Sequence, residues 1–454
     1  MSTLSPLPSR RLHLNAFLMG VGHHEAAWRH PRADPSRITD VRHYQNLARI
    51  AERGRLDSVF FADGLALWGN VRYNALGTPE PLTLLAAIAA VTEHIGLIAT
   101  VSTTYNEPFH VARKFASLDH ISRGRAGWNI VTSAGEAEAR NFGVERPAHA
   151  DRYARATEFL DVVTKLWDSW EDDAILADRG TGAYADTAKI HPVEHAGEHF
   201  LVRGPLNVSR PPQGRPLLVQ AGSSEDGKEF AARHAEAVFT AQQTLREGQE
   251  FYADLKGRLA RYGRAPGDLL ILPGISPIIG ATEREALALE KELEDLTNPE
   301  YGLAQLSNIL GVDLSGHPLD GPLPEIPETT EGQQSRQRLV LDLARREGLT
   351  IRQVLGRLAG GRGHRVVAGT PEQIAGQIEE WFRDGAADGF NIMPPILPGG
   401  LEDFVDHVVP ILRARGLFRT EYEGRTLREN YGLARPASRY AAGRAETLDA
   451  AVAS

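Results

Sequence analysis

The chain has 454 residues, is 42% hydrophobic and 24% charged, carries a formal net charge of -9 and contains no cysteine. That length suits a large core, in one elaborated domain or in two to three ordinary ones. The negative charge argues against nucleic acid or an anionic membrane as partner, and the absence of thiols excludes disulfides, thiolate catalysis and Cys-ligated metal centres.

Residues 1–11 are rich in Ser, Pro and Arg and lack an apolar h-region, so no signal peptide is expected. No run approaches the roughly 18 apolar residues of a membrane span, and a cytoplasmic location is expected. Residues 12–21 read as a buried first strand, followed directly by His23 and His24. Asp40 caps a helix over 41–53, in which Tyr44, Leu47, Ala48 and Ala51 keep helical spacing. A second strand over 57–63 ends at Asp63, and a helix beginning at Pro81 extends to 94. The third strand, 95–101, runs into Ser102-Thr103-Thr104, and a helix over 109–121 follows. The fourth strand starts at Gly124, carries Asn129 and ends in Thr132-Ser133; a loop then leads to a helix over 151–170.

The alternation breaks over 171–214, where a hairpin is expected at 199–208. It resumes with a strand at 216–221, then Gly222-Ser223-Ser224 and a helix over 225–234. A strand at 237–241, a helix over 245–262 and a strand at 269–279 come next. A second irregular region spans 297–365, with helices over 331–346 and 350–358. Thr370 and Pro371 open a helix to 385, with Gln373 closing a capping box. The last strand is 389–395 and the last helix 401–415, leaving a polar tail over about 419–454.

Strands beginning near 12, 57, 95, 125, 216, 237, 269 and 389, with helices between most of them, predict a (β/α)8 TIM barrel as a single domain over 1–454. The insertions 171–214 and 297–365 account for much of the surplus length. An open dinucleotide-binding sheet would show G-x-G-x-x-G after its first strand, and Gly20-Val21-Gly22-His23 lacks the third glycine.

In a barrel, chemistry sits at the carboxyl ends of the strands. There the chain offers hydroxyls, an amide and one carboxylate, with no lysine nucleophile and no carboxylate pair. This argues against Schiff-base aldolases and most glycosidases. Ser223 and Ser224 lead straight into a helix, which serves an anion site or a plain helix cap. His149 and Tyr153 stand four apart at a helix start, facing one ligand or forming ordinary first-turn contacts. Asp63 alone reads as a turn carboxylate and His317 as a turn residue. His191, His195 and His199 repeat every four residues, but Pro192 and Gly197 break the helix a metal motif needs, so no metal is expected.

The segments GHHEAAWRHP (22–31), DSVFFAD (57–63), the run 99–133, NFGVERPAHADRY (141–153), the run 203–235 and GTPEQIAGQIEEW (369–381) together resemble the bacterial luciferase-like flavin monooxygenases. The likeness is to the branch of nitrilotriacetate monooxygenase component A and dibenzothiophene-sulfone monooxygenase. The resemblance implies a TIM barrel, FMN as a reduced co-substrate, O2 as oxidant and a separate NAD(P)H:flavin reductase that supplies FMNH2. It also implies a homodimer or homotetramer. By position, Asp63, Thr103 and Thr104 would line the flavin, with Asn129 and Ser133 at the strand tip. His149, Tyr153, Ser223 and Ser224 would hold the phosphate, and His23 or His24 would stand at the reacting edge. Rival readings are a deazaflavin-dependent relative, a homologue for which flavin is itself substrate or cargo, and an unrelated barrel hydrolase.

Overall fold

A computed structural model describes residues 10–67, 71–326 and 334–441. Eight strands form the central sheet: β1 (His13–Leu18), β2 (Ser58–Phe61), β3 (Gly96–Ser102), β4 (Ala126–Val131), β5 (Leu217–Ala221), β6 (Ala237–Thr240), β7 (Leu270–Ile279) and β8 (Gly389–Ile392). Each pairs in parallel with the next. The ring closes where β8 returns to β1, with His13 opposite Gly389. A Cβ on Gly389 would lie 1.9 Å from the His13 carbonyl oxygen, so this closing contact requires glycine.

The strands are buried on both faces, which is why they read as near-continuous apolar runs. Their inward residues, among them Phe17, Phe60, Ile98, Val219, Phe239, Leu272 and Met393, fill the barrel. Outward residues such as Leu14, Val59, Leu97 and Trp128 pack on the helices in the larger core. Helix Val41–Arg53 is capped by Asp40, whose side chain accepts from the Arg42 N–H. Helix Pro371–Arg383 carries the Thr370/Gln373 capping box.

Several boundaries differ from the sequence reading. The helix from Pro81 ends at Ala89, because the Thr92 hydroxyl and the Val91 N–H both bond the Ile88 carbonyl and close it early. The hairpin lies at His195–Ala196 and Leu201–Val202, since the chain turns at Gly197, whose N–H bonds the Phe200 carbonyl. The loop after β4 contains a short helix, Glu136–Asn141, and the irregular stretch contains helix Pro299–Leu310. A further helix, Glu283–Asp295, follows β7. An extra strand, Arg365–Gly369, pairs with the distal half of β7 outside the ring. The last helix is interrupted over Phe404–Val408 by a wider turn just before Pro410, which has no N–H to donate.

The tail is polar in composition, and its described part, up to residue 441, is firmly docked. Leu427, Tyr431 and Leu433 enter the barrel's interior cluster. The Tyr431 hydroxyl donates to Asn15 Oδ1 at 2.7 Å, Arg428 pairs with Glu236 at 2.6 Å, and Arg419 pairs with Asp57. Leu427 lies against Gly96 and Gly127, at the starts of β3 and β4, so this segment closes the amino-terminal end of the barrel.

Candidate active site

The opposite end of the barrel collects most of the polar groups singled out from the sequence. After β5 the chain turns into helix Glu225–His234, and Ser224 is its N-cap, accepting from the Gly227 N–H at 3.1 Å. Tyr153, from the first turns of helix His149–Trp167, brings its hydroxyl into hydrogen bonds with Ser224 and Thr132. Burial raises the Tyr153 pKa, so the phenol stays a neutral donor. Gln220 is 2% exposed and its Oε1 has no partner.

Two glycines keep this corner open. A Cβ on Gly222 would stand 2.5 Å from Gln220 Nε2, and one on Gly227 would stand 3.1 Å from both Ser224 Oγ and the Tyr153 hydroxyl. His149 Nδ1 meets Asp226 Oδ2 at 2.9 Å and ties the starts of the two helices together. The two helix starts therefore lie side by side at this corner, and a helix N-terminus is a favourable place for an anion. Ser223 faces the neighbouring strand end, its hydroxyl 3.2 Å from that of Thr240.

The rim across β2, β3 and β4 is laced by hydroxyls. Thr104 Oγ1 donates to the Thr132 carbonyl at 2.6 Å; Thr103 is fully buried and donates to the Val131 carbonyl at 3.3 Å. Thr103 thus stiffens the rim, while Thr104 is half-buried at its edge. Inside, the Asn129 amide donates to Thr100 Oγ1 at 2.8 Å and Thr100 donates to the Phe61 carbonyl at 2.8 Å. This leaves Asn129 Oδ1 buried without a partner. Ser133 adopts φ 40°, an unusual backbone for a residue with a Cβ, and its hydroxyl donates to Glu138. Glu138 also accepts from the Leu65 N–H and so joins the β2 and β4 loops.

Asp63 lies at the open mouth, accepting from the Gly64 N–H at 2.9 Å. The surrounding walls desolvate it, Glu80 and Glu138 add like charge, and its carboxyl is pushed up to about 6. His23 and His24 are both buried. His23 Nε2 donates to the Phe17 carbonyl at 2.9 Å, its ring meets Phe17 edge-on at 4.5 Å, and Nδ1 is left a buried acceptor without a partner. His24 turns the other way: its Nδ1 accepts from the Ala26 N–H, and its ring lies near Gly360. It is therefore His23 that faces the barrel interior. Burial first, and then the charge of Arg362, lower His23 to about 3 and His24 to about 4.

Gln220, Gly227 and Arg362 escaped the sequence reading. Gln220 had a signal, a lone amide within the apolar run PLLVQA; the others depend on contacts that only the fold creates. His191 and His195 lie away from this mouth, paired with Glu171 at 2.9 Å and Glu158 at 3.0 Å, and His317 is exposed in a turn. Among the described residues no group of three or more His, Asp or Glu is placed to hold a metal ion. No helix among them is long and apolar enough to cross a membrane.

Comparison with known proteins assigns the fold and its site to one lineage. The description "Luciferase-like monooxygenase" matches residues 21–388. The chain is 54% identical to nitrilotriacetate monooxygenase component A of Aminobacter aminovorans, over 94% of this chain and 98% of that one. It is 53% identical to N-acetyl-S-(2-succino)cysteine monooxygenase of Bacillus subtilis (strain 168), over 95% and 99%. A solved riboflavin lyase, with modified FMN and the substrate riboflavin, overlays with a TM-score of 0.85 at 36% identity, covering 95% and 98% of the two chains. With a match that spans most of the barrel and identities above half along nearly its whole length, the chain belongs to the luciferase-like monooxygenase family.

Proposed function

We propose that the strand-end cradle of Ser224, Tyr153 and Gln220 holds the phosphate of FMN, with Asn129 and His23 presenting hydrogen-bond acceptors to the flavin ring. The protein is a flavin-dependent monooxygenase, the oxygenating part of a two-component system that uses reduced FMN and O2 on a small organic substrate. The observation that carries the placement is the meeting of two helix N-termini with two side-chain donors around Gly222 and Gly227, where a Cβ would intrude. The unpartnered Gln220 Oε1, Asn129 Oδ1 and His23 Nδ1 fit a hydrogen-bonding ligand larger than an ion.

Bound reduced FMN supplies the activation of O2, one oxygen going to the substrate and the other to water. The chain's own part is binding, orientation and exclusion of water. Ser224, Tyr153 and the helix N–H groups fix the phosphate end. Phe17, Phe60 and Phe239, with ring centroids 4.7 to 5.6 Å apart, form an apolar floor beneath the strand ends. The second insertion closes over the β2 loop, where Asn74 donates to the Tyr301 hydroxyl at 2.7 Å and Tyr73 donates to Glu300 at 3.0 Å. His23 and His24 stay neutral above about pH 4 and so serve as hydrogen-bonding groups, whereas Asp63 keeps its proton below about pH 6 and carries a charge above it.

The partner in this reading is an NAD(P)H:flavin reductase, and the oligomer a homodimer or homotetramer. The names of the two close relatives suggest a substrate with several carboxylates. The test is turnover with a generic flavin reductase, NADH, FMN, O2 and nitrilotriacetate, with products analysed. Oxygenated or cleaved nitrilotriacetate with intact flavin supports the reading. Cleaved flavin would instead place this chain with the lyase, whose 36% identity is lower than that of either monooxygenase. Absence of saturable FMN binding would end the reading.

A further inference from the structure

A second concavity adjoins the mouth on the side away from the phosphate cradle. It encloses about 300 Å³ and is walled by three segments: Glu25 to Arg29 after β1, Arg72 and Tyr73 in the loop after β2, and Leu296 to Tyr301 in the insertion after β7. All three leave the carboxyl ends of barrel strands, and the volume is in the range of small-molecule sites. The walls are stitched together. Trp28 Nε1 donates to the Tyr73 carbonyl at 3.0 Å, and Arg29 donates to the Leu296 carbonyl at the end of helix Glu283–Asp295. Arg72 lies over the Tyr73 ring, 5.5 Å from its centroid.

The chemistry of the lining is polarised. Arg29 and Arg72 each bring a planar fork suited to a carboxylate. Glu25 is next in sequence to His24, and burial raises its pKa against the field of Arg362. Two guanidiniums and one carboxyl therefore line the same cavity, a net positive lining that suits a small anion. We infer that this cavity is the substrate subsite of the monooxygenase, in which Arg29 and Arg72 bind the carboxylates of a small polyanion and Glu25 meets its amine or thioether centre. The inference rests on the flavin reading for the reaction, but anion binding itself does not need flavin.

The experiment is titration calorimetry of nitrilotriacetate and of its neutral triamide, on the protein with and without FMN, in wild type, Arg29→Gln, Arg72→Gln, the double variant and Arg29→Lys. Wild type should bind the triacid at least tenfold more tightly than the triamide, and the preference should shrink as salt rises. The double variant should lose that preference while keeping its affinity for FMN, and Arg29→Lys should recover part of it. In turnover, the loss should appear in KM more than in kcat. Equal binding of acid and amide by wild type, or an unchanged preference in the double variant, overturns the subsite whatever FMN does. Normal anion binding without FMN binding would leave the subsite standing and remove the flavin reading.

Discussion

At the scale of single residues, the account turns on how a few side chains are held. Gly227 is the sharpest case. It sits in a helix, where alanine is better tolerated than glycine by about 1 kcal/mol. Yet its Cβ would press on Ser224 Oγ and the Tyr153 hydroxyl at 3.1 Å. Gly227→Ala should therefore leave the melting temperature unchanged or higher while weakening FMN binding, a split that thermal denaturation and fluorescence titration would reveal. Asp63 gives a second prediction. With its carboxyl raised from 3.8 to about 6, the folded protein keeps a proton that the unfolded chain releases. That contribution is complete below pH 4 and is lost as pH rises through 6. Asp63→Asn should match wild type in thermal stability at pH 4 and exceed it at pH 7.5. An inflection near pH 6 in riboflavin affinity, which is free of the FMN phosphate's own titration near pH 6, should vanish in Asp63→Asn and survive in His24→Gln, because His23 and His24, at about 3 and about 4, do not titrate there.

At the scale of elements, most of the frame was legible because the local signals agree with one another. The Asp40 cap and the Thr370/Gln373 box reappear as drawn, and the eight apolar runs reappear as strands, several with shorter ends. Thr370→Ala should cost about 1 kcal/mol in chemical denaturation without touching FMN affinity, since the box lies on the outer helix layer. Elements that failed to show in the sequence lack such agreement. Strand Arg365–Gly369 is short and half-buried, and is held by pairing with β7 rather than by its own pattern. The same holds for the site. Ser224 was readable as a cap, the structure shows it capping helix Glu225–His234, and the proposed phosphate cradle uses the same residue. That Tyr153 and Gln220 join it depends on packing between helices far apart in sequence, which no local rule encodes. His23 and His24 were indistinguishable as neighbours in a loop; only the bond to the Phe17 carbonyl turns one of them inward.

At the scale of the whole molecule, the barrel is closed at one end and furnished at the other. The docked tail is the closure: Leu427 is fully buried, and Arg428 pairs with Glu236 beneath the strands. Leu427→Ala should destabilise the protein by about 2 to 5 kcal/mol in urea unfolding, with FMN affinity at 25 °C retained because the site lies at the other end. The furnished end is the central claim: the protein grips FMN through its phosphate, at the start of helix Glu225–His234. The most direct measurement compares FMN with riboflavin, which lacks the phosphate, in wild type and in the double variant Ser224→Ala/Tyr153→Phe. Wild type should bind FMN far more tightly than riboflavin. The double variant should lose more than tenfold in FMN affinity, about 1.4 kcal/mol, with riboflavin affinity unchanged. Equal affinities for FMN and riboflavin in wild type, or an FMN affinity that the double variant retains, would contradict the account.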